Sequence, residues 1–280
     1  MDRILLIDGM NSVWRANVAF KPEEKQEPSY VLVYNFFRQL RATIEEFCPT
    51  KVFFCLEGSH NFRYKIFPDY KANRIIKTGS IVDAKSDTKQ KDREDIIRQA
   101  NIITTLISKL PITVVSADKF EADDVVATLA EDLKDEDVVV LSNDSDFIQL
   151  LQKGYKNFRI YNPMKKMDMI APEFHYVSFK SLKGDVSDAI PGLVGPKTAE
   201  KLASDIKKFA EFMESSENRA NYSLNKELIE FRIIPTDELQ FVEYNTDYDG
   251  LKEEFSKMDF KTILEPKYWE RFIATFSGLR

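Results

Sequence analysis

Short apolar runs of one kind recur along the chain, each rich in Val, Ile, Leu or Phe and each ending near an acid or a loop signal. They are 3–8 (RILLID), 51–57 (KVFFCLE), 111–116 (PITVVS) and 137–143 (DVVVLSN). Runs of this length without polar alternation predict strands buried on both faces, and the helical patterns between them predict the crossovers of a parallel sheet. One helix is predicted through YVLVYNFFRQLRATIEEF with Ser29 as its N-cap, and a second over about 92–109, ended by Pro111. The stretch 72–91 is polar, lysine-rich and almost without periodicity, which predicts a mobile connection that orders on binding. Beyond 144–151 (DSDFIQLL), the segment NFRIYNPMKKMDMI predicts a strand, a turn and a second strand, and 172–210 predicts helix, tight turn, helix. The last seventy residues predict helices in patches. The fold class is therefore α/β, a mostly parallel sheet flanked by helices, with a helical C-terminal part. The expected organisation is a core over 1–171, a second segment over 172–210, and a region at 211–280 packed on the core.

Polar chemistry concentrates at the ends of these elements. Nine carboxylates are spread over four segments: Asp8; Glu57; Glu121, Asp123 and Asp124 with Asp144 and Asp146; and Asp185 and Asp188. In parallel sheets ligands collect at the carboxyl ends of the strands, so the sheet itself can gather them. Converging acids repel one another unless a cation offsets them, and hard divalent ions such as Mg²⁺ or Mn²⁺ do so with oxygen ligands. A metal-dependent phosphoryl-transfer site is the expectation. Each motif also has a structural reading. The acids of FEADD can favour the positive end of a helix dipole, and those of SNDSDF can be turn chemistry. At about 100° per residue, Glu121, Asp123 and Asp124 can converge only at the first helical turn. An extended segment would put Asp144 and Asp146 on one side.

Composition sharpens the picture. With 280 residues, 43% hydrophobic and 31% charged, the chain can form one large α/β domain or a domain with a small appendage. A net charge of −6 argues at first against a nucleic-acid partner, yet without the nine carboxylates the remainder is positive. Arg63, Lys65, Lys71 and Arg74 alternate with aromatics in FRYKIFPDYKANR, a pattern that grips a phosphate backbone and stacks bases, or else forms a solvated face. Gly192 and Gly195 precede a helix starting near Lys197 and Thr198, where exposed backbone N–H groups suit a phosphate. Cys48 and Cys55 sit in or beside apolar runs and are expected to be reduced, buried and inert. His60 and His175 do not make a zinc set. The chain opens on a strand pattern rather than a signal peptide, and no apolar stretch approaches the roughly 20 residues of a membrane span. A cytoplasmic protein with no membrane partner is expected.

Taken in order, LLIDGMN, CLEGSHNFRYKIFPDYKANR, FEADD, LSNDSDF and GDVSDAIPGLVGPKTAEKLA resemble the flap endonuclease and 5′ exonuclease family over residues 3–204. The resemblance implies a PIN-like 5′ nuclease core, a helix-hairpin-helix at 172–210, and an arch-like segment at about 72–100 through which a free 5′ strand passes. It implies that Asp8, Glu57, Glu121, Asp123, Asp124, Asp144, Asp146, Asp185 and Asp188 hold two Mg²⁺ or Mn²⁺ ions. Lys71, Arg74 and Arg15 would face the scissile phosphate, while Arg63, Lys65, Gly192, Gly195, Lys197 and Thr198 would hold DNA. The implied partners are DNA with a free 5′ end, a flap or a junction, an RNA-DNA hybrid, and replication proteins, with the chain itself a monomer. Three positions depart from the family. Glu57 replaces the usual aspartate, Ala189 replaces the asparagine of D-N-I-P-G, and the hairpin is shorter than the one that holds a potassium ion (K⁺) in many relatives. The alternatives are a nucleic-acid-structure-binding protein with impaired catalysis and an RNA-cleaving PIN-type nuclease.

Overall fold

The computed structural model describes residues 2–18, 29–72 and 84–280, with 84–92 described by backbone alone. Five parallel strands form the middle of a seven-stranded sheet: β1 (Arg3–Asp8), β2 (Lys51–Cys55), β3 (Thr113–Ala117), β4 (Asp137–Leu141) and β5 (Phe158–Asn162). Two antiparallel strands close its edges, β6 (Met167–Asp168) beside β5 and β7 (Leu239–Val242) beside β3. The order β6-β5-β4-β1-β2-β3-β7 places the reversal of winding between β1 and β4, and a ligand crevice opens at the carboxyl ends of strands at such a point.

The period of two along β1 divides the core. Leu5 and Ile7 face one side, packing with Phe37, Phe54, Phe255 and Phe272. Ile4 and Leu6 face the other, with Val125, Val126, Val140 and Ile160. The first side is covered by helices α1 (Gly9–Val18), α2 (Val31–Phe47) and, past the short α3 (Arg63–Ile66), the long α4 (Ala84–Ile107). On the second side lies α5 (Ala122–Asp132), and α6 (Ile148–Leu151) leads from β4 to β5. After β6 come α7 (Tyr176–Lys183), α8 (Pro196–Ser204), α9 (Ile206–Phe212) and α10 (Ser216–Ile229). Leu182 of α7 packs on Ala199 and Leu202 of α8, which makes this pair a helical hairpin.

Several expectations need correction. The helix expected from about 92 begins at Ala84, so part of the polar stretch is helical, while 73–83 and with it Arg74 lie outside the described residues. Ser29 is not the N-cap of α2. Its hydroxyl is 3.5 Å from the Val31 N–H, whereas Gln99 of α4 accepts from Leu32 at 3.0 Å and Val33 at 3.3 Å, capping the helix from a distance in sequence. Cys48 is exposed rather than buried, because it ends α2 in the left-handed conformation at φ 47°; Cys55 is buried. The last seventy residues form helices in patches, as expected, and also contribute β7. Beyond it, α11 (Tyr248–Lys257), α12 (Lys261–Leu264) and α13 (Pro266–Ser277) place Phe255, Trp269 and Phe276 in the core shared with α2. No helix among the described residues is long and apolar enough to cross a membrane.

Candidate metal centre

The carboxyl ends of β1, β2 and β4 lie side by side, with Asp8 level with Cys55 and Ile7 level with Leu141. Past these ends a cavity of about 230 Å³ is lined by eight carboxylates: Asp8, Glu57, Glu121, Asp123, Asp144, Asp146, Asp185 and Asp188. Arg63 and Lys71 are the basic residues among its walls. Four separate stretches of sequence therefore reach one space, as the strand-end argument requires.

The acids fall into two electrostatic groups. Asp8 accepts from the Ser142 hydroxyl at 3.0 Å and the Asn11 N–H at 3.2 Å, yet burial, reinforced by Asp144, raises its pKa to about 6. Burial also pushes Asp123 well above the usual carboxylate range, with Asp8, Asp144 and Glu121 adding repulsion. Asp144 is raised by burial and by Asp146. It caps a single 3-10 turn (Ser145–Phe147), its Oδ1 accepting from the Asp146 N–H at 2.9 Å. That turn, not extended alternation, points the two aspartates the same way.

The second group has cations. Burial would raise the Glu121 pKa, but Lys71 and then Arg63 outweigh it and the net shift is downward. Glu121 also accepts from Asn61 at 2.7 Å and Tyr70 at 3.1 Å. The Tyr70 hydroxyl reaches Asp188 as well, at 3.4 Å, and burial followed by these acids pushes its pKa far up, so it remains a donor. Lys180 pairs with Asp146 at 2.8 Å and also with Asp185. Burial opposes ionisation of Asp185, but Lys180 and Ser187 hold its pKa at about 2. Among the described residues, no three His, Cys, Asp or Glu side chains are grouped tightly enough to grip an ion as they stand. The donor set nonetheless fits one. It is all oxygen, which suits a hard divalent ion rather than a thiolate- or imidazole-seeking one, and Asp8, Asp123 and Asp144 carry the repulsion such an ion relieves.

Three expected site residues are engaged within the fold in other ways. Asp124 is fully buried and turned away from the cavity into a bidentate pair with Arg63 at 2.6 and 2.8 Å. It also accepts from the Glu121 N–H at 3.1 Å, completing a reciprocal cap of α5, and from the Arg232 N–H at 2.8 Å. Arg63, only 1% exposed, donates further to the Leu228 and Glu230 carbonyls, so its donors are taken up within the protein. Arg15 does not line the carboxylate cavity. Its Nε donates to Gln39 at 3.2 Å, and it faces a separate pocket with Tyr161 and Met164. Burial lowers its pKa to about 10 despite the pull of Asp8.

The remaining positions are accessible. Lys71 lines the cavity, while Lys65, Gly192, Gly195, Lys197 and Thr198 are exposed. Gly195 caps α8 in open space, and Pro196 opens the helix. Sequence reasoning missed Tyr70 and Lys180. Tyr70 could have been found beside Lys71, but nothing in SFKSLKGD separates Lys180 from Lys183.

Known proteins resemble this chain over most of its length. A family described as 5′-3′ exonuclease, N-terminal resolvase-like domain, matches residues 3–179. A 5′-3′ exonuclease of Bacillus subtilis (strain 168) is 29% identical, over 76% of this chain and 74% of its own. DNA polymerase I of the same organism is 26% identical over 94% of this chain and 32% of its own, so this chain spans about a third of that relative's length. The structure of T5 5′-exonuclease with bound divalent zinc ions superimposes with a TM-score of 0.62 at 15% identity, over 99% of both chains. A bacteriophage T5 flap endonuclease in a pseudo-enzyme-product complex with DNA and metal ions gives 0.60 at 15% identity, over 98% of this chain and 99% of that one. At these identities the structural likeness speaks for the fold.

Proposed function

This chain belongs to the 5′-3′ exonuclease family, and on that premise we propose that it is a divalent-metal-dependent nuclease that hydrolyses DNA phosphodiesters at free 5′ ends, flaps or junctions. The observation that carries this reading is the gathering of eight carboxylates on one cavity with Lys71 on its wall. Asp8, Glu121, Asp123 and Asp144 would hold one Mg²⁺ or Mn²⁺ ion and Asp146, Asp185 and Asp188 a second, with Glu57 at the rim. When bound, the ions supply an activated water and neutralise charge on the phosphodiester.

The chain's own groups do the rest. The Lys71 ammonium lies where it can offset charge developing on a phosphate at the cavity. Its backbone is fixed by an N–H donated to the Asp188 carbonyl at 2.9 Å, and its side chain by Glu121, which Arg63 and Tyr70 hold in turn. Exposed Lys65, Lys197 and Thr198 offer contacts to the strand and the duplex on either side, and residues 172–210 act as the duplex-binding segment.

A duplex labelled on a 5′ flap, incubated with Mg²⁺ and with EDTA, tests the reading. Cleavage should need the ion, and Asp123→Asn should reduce it by on the order of a hundredfold or more. The same variant should unfold no more easily than the parent in EDTA, because it removes a repelled charge. Undiminished cleavage by a purified Asp123→Asn variant at saturating Mg²⁺ would sink the assignment.

A further inference from the structure

The two acid groups of the cavity are unequal in a way that sets how ions enter. Asp8, Asp123 and Asp144 line the cavity together without a lysine or arginine partner among the described residues. Asp146 and Asp185, by contrast, already share a cation. The Lys180 side chain is 7% exposed, and its Nζ bridges both carboxylates across the gap between the loop after β4 and the loop after α7. The surrounding polar groups complete this arrangement. Tyr176 donates to Asp146 Oδ1 at 3.2 Å, and the Ser187 N–H and hydroxyl donate to Asp185 Oδ1 at 2.8 and 2.6 Å.

We infer that Lys180 is a tethered cation occupying the Asp146–Asp185 pair, so that a second divalent ion binds only by displacing its ammonium. The inference deepens the metal-dependent reading and rests on it. A buried ammonium that loses both carboxylate partners is left uncompensated, and that penalty is subtracted from the gain of the incoming ion. Among the described residues no lysine or arginine pairs with Asp8, Asp123 or Asp144; of the carboxylates proposed for the first ion, Glu121 alone has cation partners, Lys71 and Arg63. Lys180 is thus a positioning residue. It holds the cavity in a one-ion state and makes the second ion the weak one.

Mn²⁺ titration of the full chain, followed by the electron paramagnetic resonance signal of the free ion, tests this without reference to cleavage. The parent should bind one Mn²⁺ tightly and a second weakly. Lys180→Met should tighten the second by on the order of tenfold or more and leave the first unchanged, whereas Lys180→Arg, which keeps the cation, should not tighten it. If Lys180→Met is unfolded without metal, recovery of its folded circular dichroism spectrum by Mn²⁺ supports the inference. Failure to fold at saturating Mn²⁺ overturns it, since the ion then does not replace the ammonium. So does a folded Lys180→Met chain whose second Mn²⁺ binds as in the parent. In the unaltered protein, the ¹⁵N-labelled Lys180 ammonium should hold its NMR shift through the first equivalent of Mg²⁺ and move with the second; movement with the first overturns the inference. Absence of any tight ion in the parent would instead count against the metal centre itself.

Discussion

Burial decides what Arg63 and Asp124 do. Both carry the residue types of a nucleic-acid or metal site, and both are spent on one another inside the protein. A guanidinium this deep tolerates its position only with its donors engaged, and the Asp124 carboxylate, two main-chain carbonyls and Glu121 at 3.5 Å engage them. Arg63→Ala should therefore cost about 3–5 kcal/mol of folding free energy, because it strands a buried Asp124 charge. Urea unfolding would measure it, and a change under about 1 kcal/mol would contradict the role. The double change Arg63→Met with Asp124→Leu should cost less than the single ones together, as expected of partners in one buried pair. Neighbours in sequence thus diverge: Asp123 faces the cavity and Asp124 the core, one helical step of about 100° apart.

At the scale of elements, the loop that carries Asp185 and Asp188 is pulled tight by paired bonds, Asp185 N–H to the Ile190 carbonyl at 2.9 Å and the reverse at 2.8 Å. Its closure demands unusual backbone at both ends. Gly184 has φ 74° and a Cβ there would come within 2.5 Å of the Gly192 nitrogen, so glycine is required. Ala189 has φ 61° without that licence. Asparagine visits this region more readily than alanine, so Ala189→Asn should raise stability by about 0.5–1 kcal/mol, read as a shifted denaturation midpoint. A loss would show that the side chain, not the backbone, limits the loop. Strands β1 to β4 are legible in the sequence because burial on both faces leaves an unbroken apolar run. β7 is not, since its Phe241 and Val242 are about half exposed at a sheet edge and the run LQFV is short. The capping of α2 by Gln99 escapes for another reason: the partner lies 67 residues away from Leu32, where local rules do not reach.

For the whole molecule, the cavity sets a pH balance. Asp8, Asp123 and Asp144 have folded-state pKa values above their ordinary ones. In the window from about pH 4 upward the native state thus binds more protons than the unfolded chain; Asp8 costs stability as pH rises through about 6, and Asp123 and Asp144 act in the same sense. Glu121 and Asp185 are depressed and work in the opposite sense, in a more acid window. In the proposed site a divalent ion relieves the repulsion of the first set, whereas Glu121 and Asp185 already have lysine partners. Thermal unfolding with Mg²⁺ and with EDTA should show a larger Mg²⁺-induced rise in Tm at about pH 8 than at about pH 5, where protons compete for the same oxygens. An equal rise at both would refute the proposed ligands. The order of acidic motifs makes most of this site legible in advance, because strand ends and helix starts bring those positions together. Lys71 is legible beside its aromatics, but Lys180 is not, since a lysine's partner depends on which way its helix face turns.

The Arg63–Asp124 pair has a consequence for synthesis. Its remaining bonds come from the main chain at 228, 230 and 232, so a polypeptide leaving the ribosome from its amino end carries both halves of the lock long before the last piece arrives. Until that piece is made, the start of α5, and with it Glu121 and Asp123, lacks its anchor. A nascent chain therefore holds a half-built centre until residues 228–232 have emerged.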